Sequence, residues 1–179
     1  MEVEKPVKIL FLCTGNSCRS QIAEAFARHL IKDRIDAYSA GTAPKVVDPR
    51  AIKAMSEIGI DISRQKSKST DDIKNTEFDF VITLCNNTQK TCPTFPAKTS
   101  VFHVGFDDPP KLSANSRNDD EAMGHYRRVR DEIKAFVERL PDFLRQKKEN
   151  MVFDQTRFIT GLKSVFGQLP GHSKRTEDS

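Results

Sequence analysis

The chain has no apolar run near the roughly 20 residues needed to cross a bilayer, so a transmembrane helix is excluded. No signal peptide is expected either, because the opening MEVEKPVKILFLC carries acidic flanks around an apolar stretch that is too short. A cytoplasmic protein that does not engage membranes is the expectation. Basic and acidic side chains number 29 and 25, and no aromatic-basic stripe sets one face apart, which argues against a nucleic-acid surface. There is no G-K-[ST] phosphate loop, no internal repeat, and no second C-x2-C or H-x3-H pair. Cysteine is scarce as well: the four are Cys13, Cys18, Cys85 and Cys92, and without a secretion signal they favour chemistry over a disulfide framework.

What is present reads as alternating strands and helices. Val7 to Leu12 is a nearly continuous apolar run, suited to a strand buried on both faces of a parallel sheet. A helix is expected from Gln21 to Lys32, a short strand over Ala37–Ala40, and a helix capped by Asp48 with Pro49 in its first turn. Strands follow at Phe78–Leu84 and Val101–Val104, then a polar stretch from Lys111 to Asn118. A long amphipathic helix carries Tyr126, Val129, Ile133, Phe136, Val137 and Leu140 on one face. The order implies an α/β fold: a doubly wound, four-stranded parallel sheet with helices on both faces. Residues 1–148 form the expected domain, and 149–179 a partly disordered extension in which Met151 to Phe166 has weak helical periodicity. Right-handed crossovers bring the strand ends to one edge, so Cys13, Cys85 and the pair Asp107-Asp108 should converge there.

The run CTGNSCRS sits between the first strand and the first helix. A loop wrapping onto a helix N-terminus aims unpaired backbone N–H groups and the positive end of the helix dipole at one point. Thr14, Gly15, Asn16, Ser17, Cys18 and Ser20 belong to that cradle, with Gly15 expected to supply the unusual backbone conformation. Arg19 offers a planar fork for a tetrahedral oxyanion. Cys13 at the base becomes a thiolate nucleophile, helped by the Ser20 hydroxyl. Asp108, held extended by Pro109, is the candidate general acid, with Asp107 as an acidic neighbour. Cys85 and Cys92, spaced C-x6-C after a strand, are a candidate redox pair. A zinc site would need His103 and Cys18 as its outside ligands, and no metal is expected. On a helix the two cysteines would lie about 10 Å apart. A disulfide needs Cα atoms within about 7 Å, so bridging them would require local unwinding.

CTGNSCRSQIAEAF, YSAGT, the Asp-Pro-x-Ala-Ile-x-Ala-Met run at 48–55, IDIS, VITLC-x6-C-P, GFDDP and RVRDEIK together resemble the thioredoxin-coupled arsenate reductases. These share the low-molecular-weight protein tyrosine phosphatase fold, and the likeness covers roughly residues 7–145. The resemblance implies that Cys13 attacks arsenate, Arg19 holds its oxygens, and Asp108 protonates the leaving water. It further implies that Cys85 attacks Cys13, that Cys92 resolves the product into an 85–92 disulfide, and that thioredoxin, the external reductant, recycles it without a bound cofactor. A monomer is expected. In relatives with a potassium site, the cation lies near positions matching Asn16, Glu24 and Ser39. A further carboxylate there is matched by Lys68, whose ammonium is expected to replace the ion through Asn16 and Glu24. A low-molecular-weight tyrosine phosphatase remains the alternative, since the loop and acid suffice for it. A metalloid sensor without turnover is a third reading.

Overall fold

The computed structural model describes residues 5–85, 93–96 and 98–166, with 151–166 described by their backbone alone. Strand β1 (Val7–Cys13) is central: Ile9, Phe11 and Leu12 are completely buried, as is Leu10. It pairs in parallel with β2 (Ile35–Gly41) on one side and β3 (Phe80–Thr83) on the other. Beyond β3 lies β4 (Ser100–His103), also parallel, giving the order β2-β1-β3-β4 in a four-stranded sheet. That architecture agrees with the doubly wound α/β fold read from the sequence.

The register assigns the two faces. Leu10 lies beside Tyr38 and Val81, and Leu12 beside Ala40. With Ile73 and Phe78 these form one core cluster, against which Tyr38 and Phe95 pack. Alternation sends Ile9 and Phe11 to the other face, together with Ser39 and Ile82. Ser39 there hydrogen-bonds Glu24 of helix α1 (Arg19–Leu30), which places α1 against that face. Helix α2 (Pro49–Ser56) begins as expected: the Asp48 carboxylate accepts the Arg50 N–H at 2.8 Å, and Pro49 opens the helix.

Two short elements were not anticipated. Asp71–Ile73 forms a 3-10 turn, and helix α3 (Pro109–Ser113) occupies the start of the expected polar stretch. Asp108 and Pro109 explain the second, since an extended residue followed by proline is a helix start in miniature. Helix α4 runs from Asp119 to Phe166, through the expected amphipathic helix and the weakly periodic stretch from Met151 to Phe166. Two compact units divide the chain, Met1–Arg139 and Leu140–Ser179. Pro141 falls inside α4 just beyond that boundary, where its ring removes a helical hydrogen bond. The division expected at 148/149 lies within the same helix. No helix among the described residues is long and apolar enough to cross a membrane.

Gly41, at the end of β2, is the position where the sheet meets the loop after β1. A Cβ there would stand 2.6 Å from the Thr14 carbonyl oxygen and 2.8 Å from the Asn16 nitrogen, both backbone. Gly41→Ala is therefore expected to destabilise the protein by about 1–3 kcal/mol through overpacking. Gly124, inside α4, has open space around it, so Gly124→Ala is expected to stabilise by about 0.5–1 kcal/mol. Urea denaturation of the two variants checks both signs.

Candidate active site

The loop from Cys13 to Cys18 has all its carbonyl oxygens bonded away from its own centre. Cys13 accepts from the Thr42 N–H (3.3 Å), Thr14 from Ala43 (2.8 Å), Gly15 from Lys45 (2.8 Å), and Ser17 from Asp48 (2.9 Å). The Cys18 carbonyl accepts from Ile22 inside α1 (3.0 Å). The Asn16 carbonyl takes the Gln21 amide at 2.9 Å and the Ser67 hydroxyl at 2.6 Å. No peptide bond among the described residues is cis, so each N–H of the loop points opposite the carbonyl of its own peptide unit, into the loop. One such contact is direct: the Asn16 N–H donates to Cys13 Sγ at 3.2 Å. Helix α1 starts at Arg19 without a side-chain cap, leaving its first N–H groups available to the same concavity.

The backbone strain falls elsewhere than expected. Gly15 has an ordinary φ, and a Cβ on it would meet only the Ser17 hydroxyl, at 3.1 Å, and the Lys45 stem. Asn16 carries the left-handed backbone, with φ 45°, which asparagine tolerates better than most residues. Its side chain is completely buried and fixed by a main-chain donor: the Lys68 N–H meets Asn16 Oδ1 at 2.7 Å. That bond turns the Nδ2 group toward Ser20 Oγ, 2.9 Å away. Ser20, accepting there, directs its own proton to Cys13 Sγ at 2.9 Å.

Cys13 is thus a buried sulfur that gathers donors. Its pKa is lowered to about 6, chiefly because the Cys85 thiol hydrogen-bonds it, with further help from Ser20 and Asn16, against the opposing effect of burial. The partner moves the other way: donating to Cys13, together with burial, pushes Cys85 far up. Thr14 Oγ1 lies 4.0 Å from Cys85 Sγ. Cys13, Cys18 and Cys85 all carry free thiols. Burial first, and the Asp48 charge second, raise the Cys18 pKa, so that sulfur stays protonated.

Arg19 lies across the concavity from the loop. Its Nη1 donates to the Phe106 carbonyl at 3.0 Å, and its Nη2 pairs with Asp108 at 3.3 Å. Cys13, Arg19 and Asp108 line one cavity of about 460 Å³ with Thr14, Ser17 and Asp48. Asp107, expected as an acidic neighbour of Asp108, instead binds Arg128 of α4 at 2.8 Å. Glu24 and Ser39 meet where α1 packs on β2, and there Glu24 is 1% exposed and pairs with Arg28 at 2.7 Å. Lys68 Nζ stands 3.5 Å from Glu24 and donates to the Lys66 carbonyl. Its ammonium therefore serves Glu24, while its main chain serves Asn16. Cys92 lies outside the described residues.

Several contributors escaped the sequence reading. Gln21 is completely buried on α1, bonds both oxygens of Asn16, and is held in turn by Gln65. Tyr126 donates to Asp48 at 2.6 Å, tying α4 to the end of the loop's support. A glutamine standing in the apolar face of α1, beside Ile22 and Phe26, was the available signal for the first. Among the described residues, no three His, Cys, Asp or Glu side chains converge as a metal-binding group.

An anion cradle holding a cysteine thiolate, on a four-stranded parallel sheet, defines a phosphatase-like class of protein. Residues 8–150 match the low molecular weight phosphotyrosine protein phosphatase family, and the chain belongs to it. An arsenate reductase of Halalkalibacterium halodurans is 47% identical over 73% of this chain and 94% of its own length. A solved arsenate reductase in its phosphate-binding state is 33% identical, covering 75% of this chain and 95% of that one, with a TM-score of 0.60. The thioredoxin-dependent arsenate reductase of Corynebacterium glutamicum is 27% identical over 82% of this chain and 66% of its own, with a TM-score of 0.56.

Alkylation of Cys13 by iodoacetamide, followed peptide by peptide, is expected to rise with pH through a midpoint of about 6. In Cys85→Ala the midpoint should move upward, because the largest stabilising contact of the thiolate is gone. A midpoint unmoved by that change would show that Cys85 does not hold the Cys13 charge.

Proposed function

We propose that the protein reduces arsenate to arsenite through a thiol relay recycled by thioredoxin. The observation that carries this reading is the second thiol: Cys85, at the end of β3, hydrogen-bonds the Cys13 thiolate inside the anion cradle. A hydrolase needs only Cys13, Arg19, an acid and water. A buried thiol donating to the nucleophile is what a reductase requires, and named arsenate reductases among the relatives support the same choice.

In the proposed sequence Cys13 Sγ forms a bond to arsenic(V), and an oxygen departs as water, protonated by Asp108. The incoming oxyanion competes for the Arg19 fork and releases Asp108 from its 3.3 Å pair, leaving the carboxyl facing the departing oxygen. Once Cys13 is bound to arsenic it no longer holds a negative charge against Cys85. The chief cause of the raised Cys85 pKa is thereby removed, and nearby Arg19 favours its thiolate. Cys85 then attacks Cys13 Sγ. The sulfur–arsenic bond breaks with its electron pair going to arsenic, which leaves as arsenite, and a 13–85 disulfide remains. Cys92 attacks Cys85, freeing Cys13 and forming the 85–92 disulfide, which thioredoxin reduces with two electrons. The likeness to a thioredoxin-dependent relative supports that reductant.

Wild-type protein with thioredoxin, its reductase and NADPH is expected to oxidise NADPH in proportion to added arsenate. Cys85→Ser should stop after a single adduct without releasing arsenite; continued turnover by that variant points to the phosphatase instead. Asp108→Asn is expected to lower kcat by about 10²–10⁴-fold, the range for loss of a general acid. The Glu24 carboxylate already faces Arg28 and the Lys68 ammonium. Potassium and sodium chloride at equal ionic strength are therefore expected to give equal rates, and activation by potassium alone would contradict that role for Lys68.

A further inference from the structure

We propose that Lys45 is a substrate-positioning residue, a tethered cation that secures the second negative charge of a tetrahedral dianion in the Cys13 cavity. The inference rests on the proposed oxyanion site and names a group that neither the loop motif nor the relay requires.

Charge accounting motivates it. An arsenate or phosphate dianion entering the cavity meets the Cys13 thiolate and two lining carboxylates, Asp48 and Asp108. Opposing them are Arg19, the inward N–H groups, and a helix terminus equivalent to about half a positive charge. Arg19 is already shared with Asp108 and the Phe106 carbonyl. Asp48 is engaged by the Arg50 N–H and the Tyr126 hydroxyl. Lys45 is the remaining cation in the cavity wall, and its ammonium makes no ion pair or hydrogen bond among the described residues.

Its placement is not that of an ordinary solvated lysine. The Lys45 N–H is bonded to the Gly15 carbonyl at 2.8 Å, so its Cα is fixed to the loop that holds the anion. Its Cγ and Cδ pass 3.8 Å from where a Gly15 Cβ would stand, laying the stem along the cavity wall. A flexible four-carbon stem with an unengaged ammonium can swing over a bound anion without disturbing any existing contact. Long-range attraction then also raises the local concentration of anions at the cavity mouth.

The test is calorimetric titration with inorganic phosphate and with perrhenate, a tetrahedral monoanion, at constant ionic strength. It compares wild type, Lys45→Met, Lys45→Arg and the remote Lys32→Met. Lys45→Met is expected to weaken phosphate binding about fivefold, the scale of one solvent-accessible ion pair, and perrhenate binding less. Lys45→Arg should retain the wild-type affinity, and Lys32→Met should change nothing. In the thioredoxin-coupled assay, KM for arsenate should rise in step with kcat preserved. Unchanged phosphate affinity in Lys45→Met overturns the proposal, as does an equal loss for perrhenate or an equal loss in Lys32→Met. The phosphate titration does not depend on turnover. Absence of arsenate reduction with the Lys45 effect intact would refute the reductase reading alone.

Discussion

The site depends on the outward bonding of the carbonyl oxygens from Cys13 to Cys18. Buried peptide groups normally satisfy both their donor and their acceptor. Here the acceptors are satisfied by Thr42, Ala43, Lys45, Gln21, Ser67, Asp48 and Ile22, and the opposing donors face the centre of the loop. One of those donors, the Asn16 N–H, is bonded to Cys13 Sγ, and the inward N–H groups together make the cavity electropositive. The fold tolerates this because β1 is pinned on both sides by parallel strands and Gly41 lets the end of β2 approach the loop without a Cβ in the way. The inward-facing donors are thus a property of how the sheet edge is built, and the side chains of the loop add to them.

On that platform the two sulfurs divide one hydrogen bond between them. The contact that lowers the Cys13 pKa is the same contact that raises the Cys85 pKa, so in the resting protein only one of them is nucleophilic. This imposes an order on the chemistry. Under the proposed relay, Cys85 would stay a thiol while it donates to Cys13 and would become reactive once Cys13 is bonded to arsenic. Cys18, much nearer to Cys13 in the chain, is excluded differently, by burial and the Asp48 charge, which raise its pKa and keep it a thiol. Three cysteines on one edge are therefore distinguished by their surroundings alone.

The sequence made the sheet edge legible because strand ends followed by Cys13, Cys85 and Asp108 are local patterns, and parallel topology supplies their convergence. It could not show which residue of the loop takes the left-handed backbone, since glycine and asparagine both permit it; contacts from residues 67 and 68 place it at Asn16. Asp107 was misjudged for a similar reason, because its partner Arg128 is brought from α4 by tertiary packing. Lys68 was recognised by its charge, whereas half of its role is played by its backbone N–H, which any residue possesses. Gln21 and Tyr126 sat in patterns that read as ordinary helix faces. Their partners are the Asn16 carbonyl and the Asp48 carboxylate, and neither is visible as a motif.

The anchors of the cradle also come from one side of it. They belong to the segment from Thr42 to Asp48, to residues 65–68 and to α1, which surround β1 and β2. From the β3 and β4 side, the described contacts are the Cys85 thiol, its approach to Thr14, and the bonds of Arg19 to Phe106 and Asp108. These contacts are made by side chains of the loop and of Arg19, and none holds a loop carbonyl. The division has a mechanical consequence. In the relay proposed above, the disulfide would pass from Cys13 to Cys85 on the β3 side, while the bonds that hold the loop carbonyls lie on the other side. A cradle anchored instead through the β3 side would share its supports with the thiols of that proposed relay.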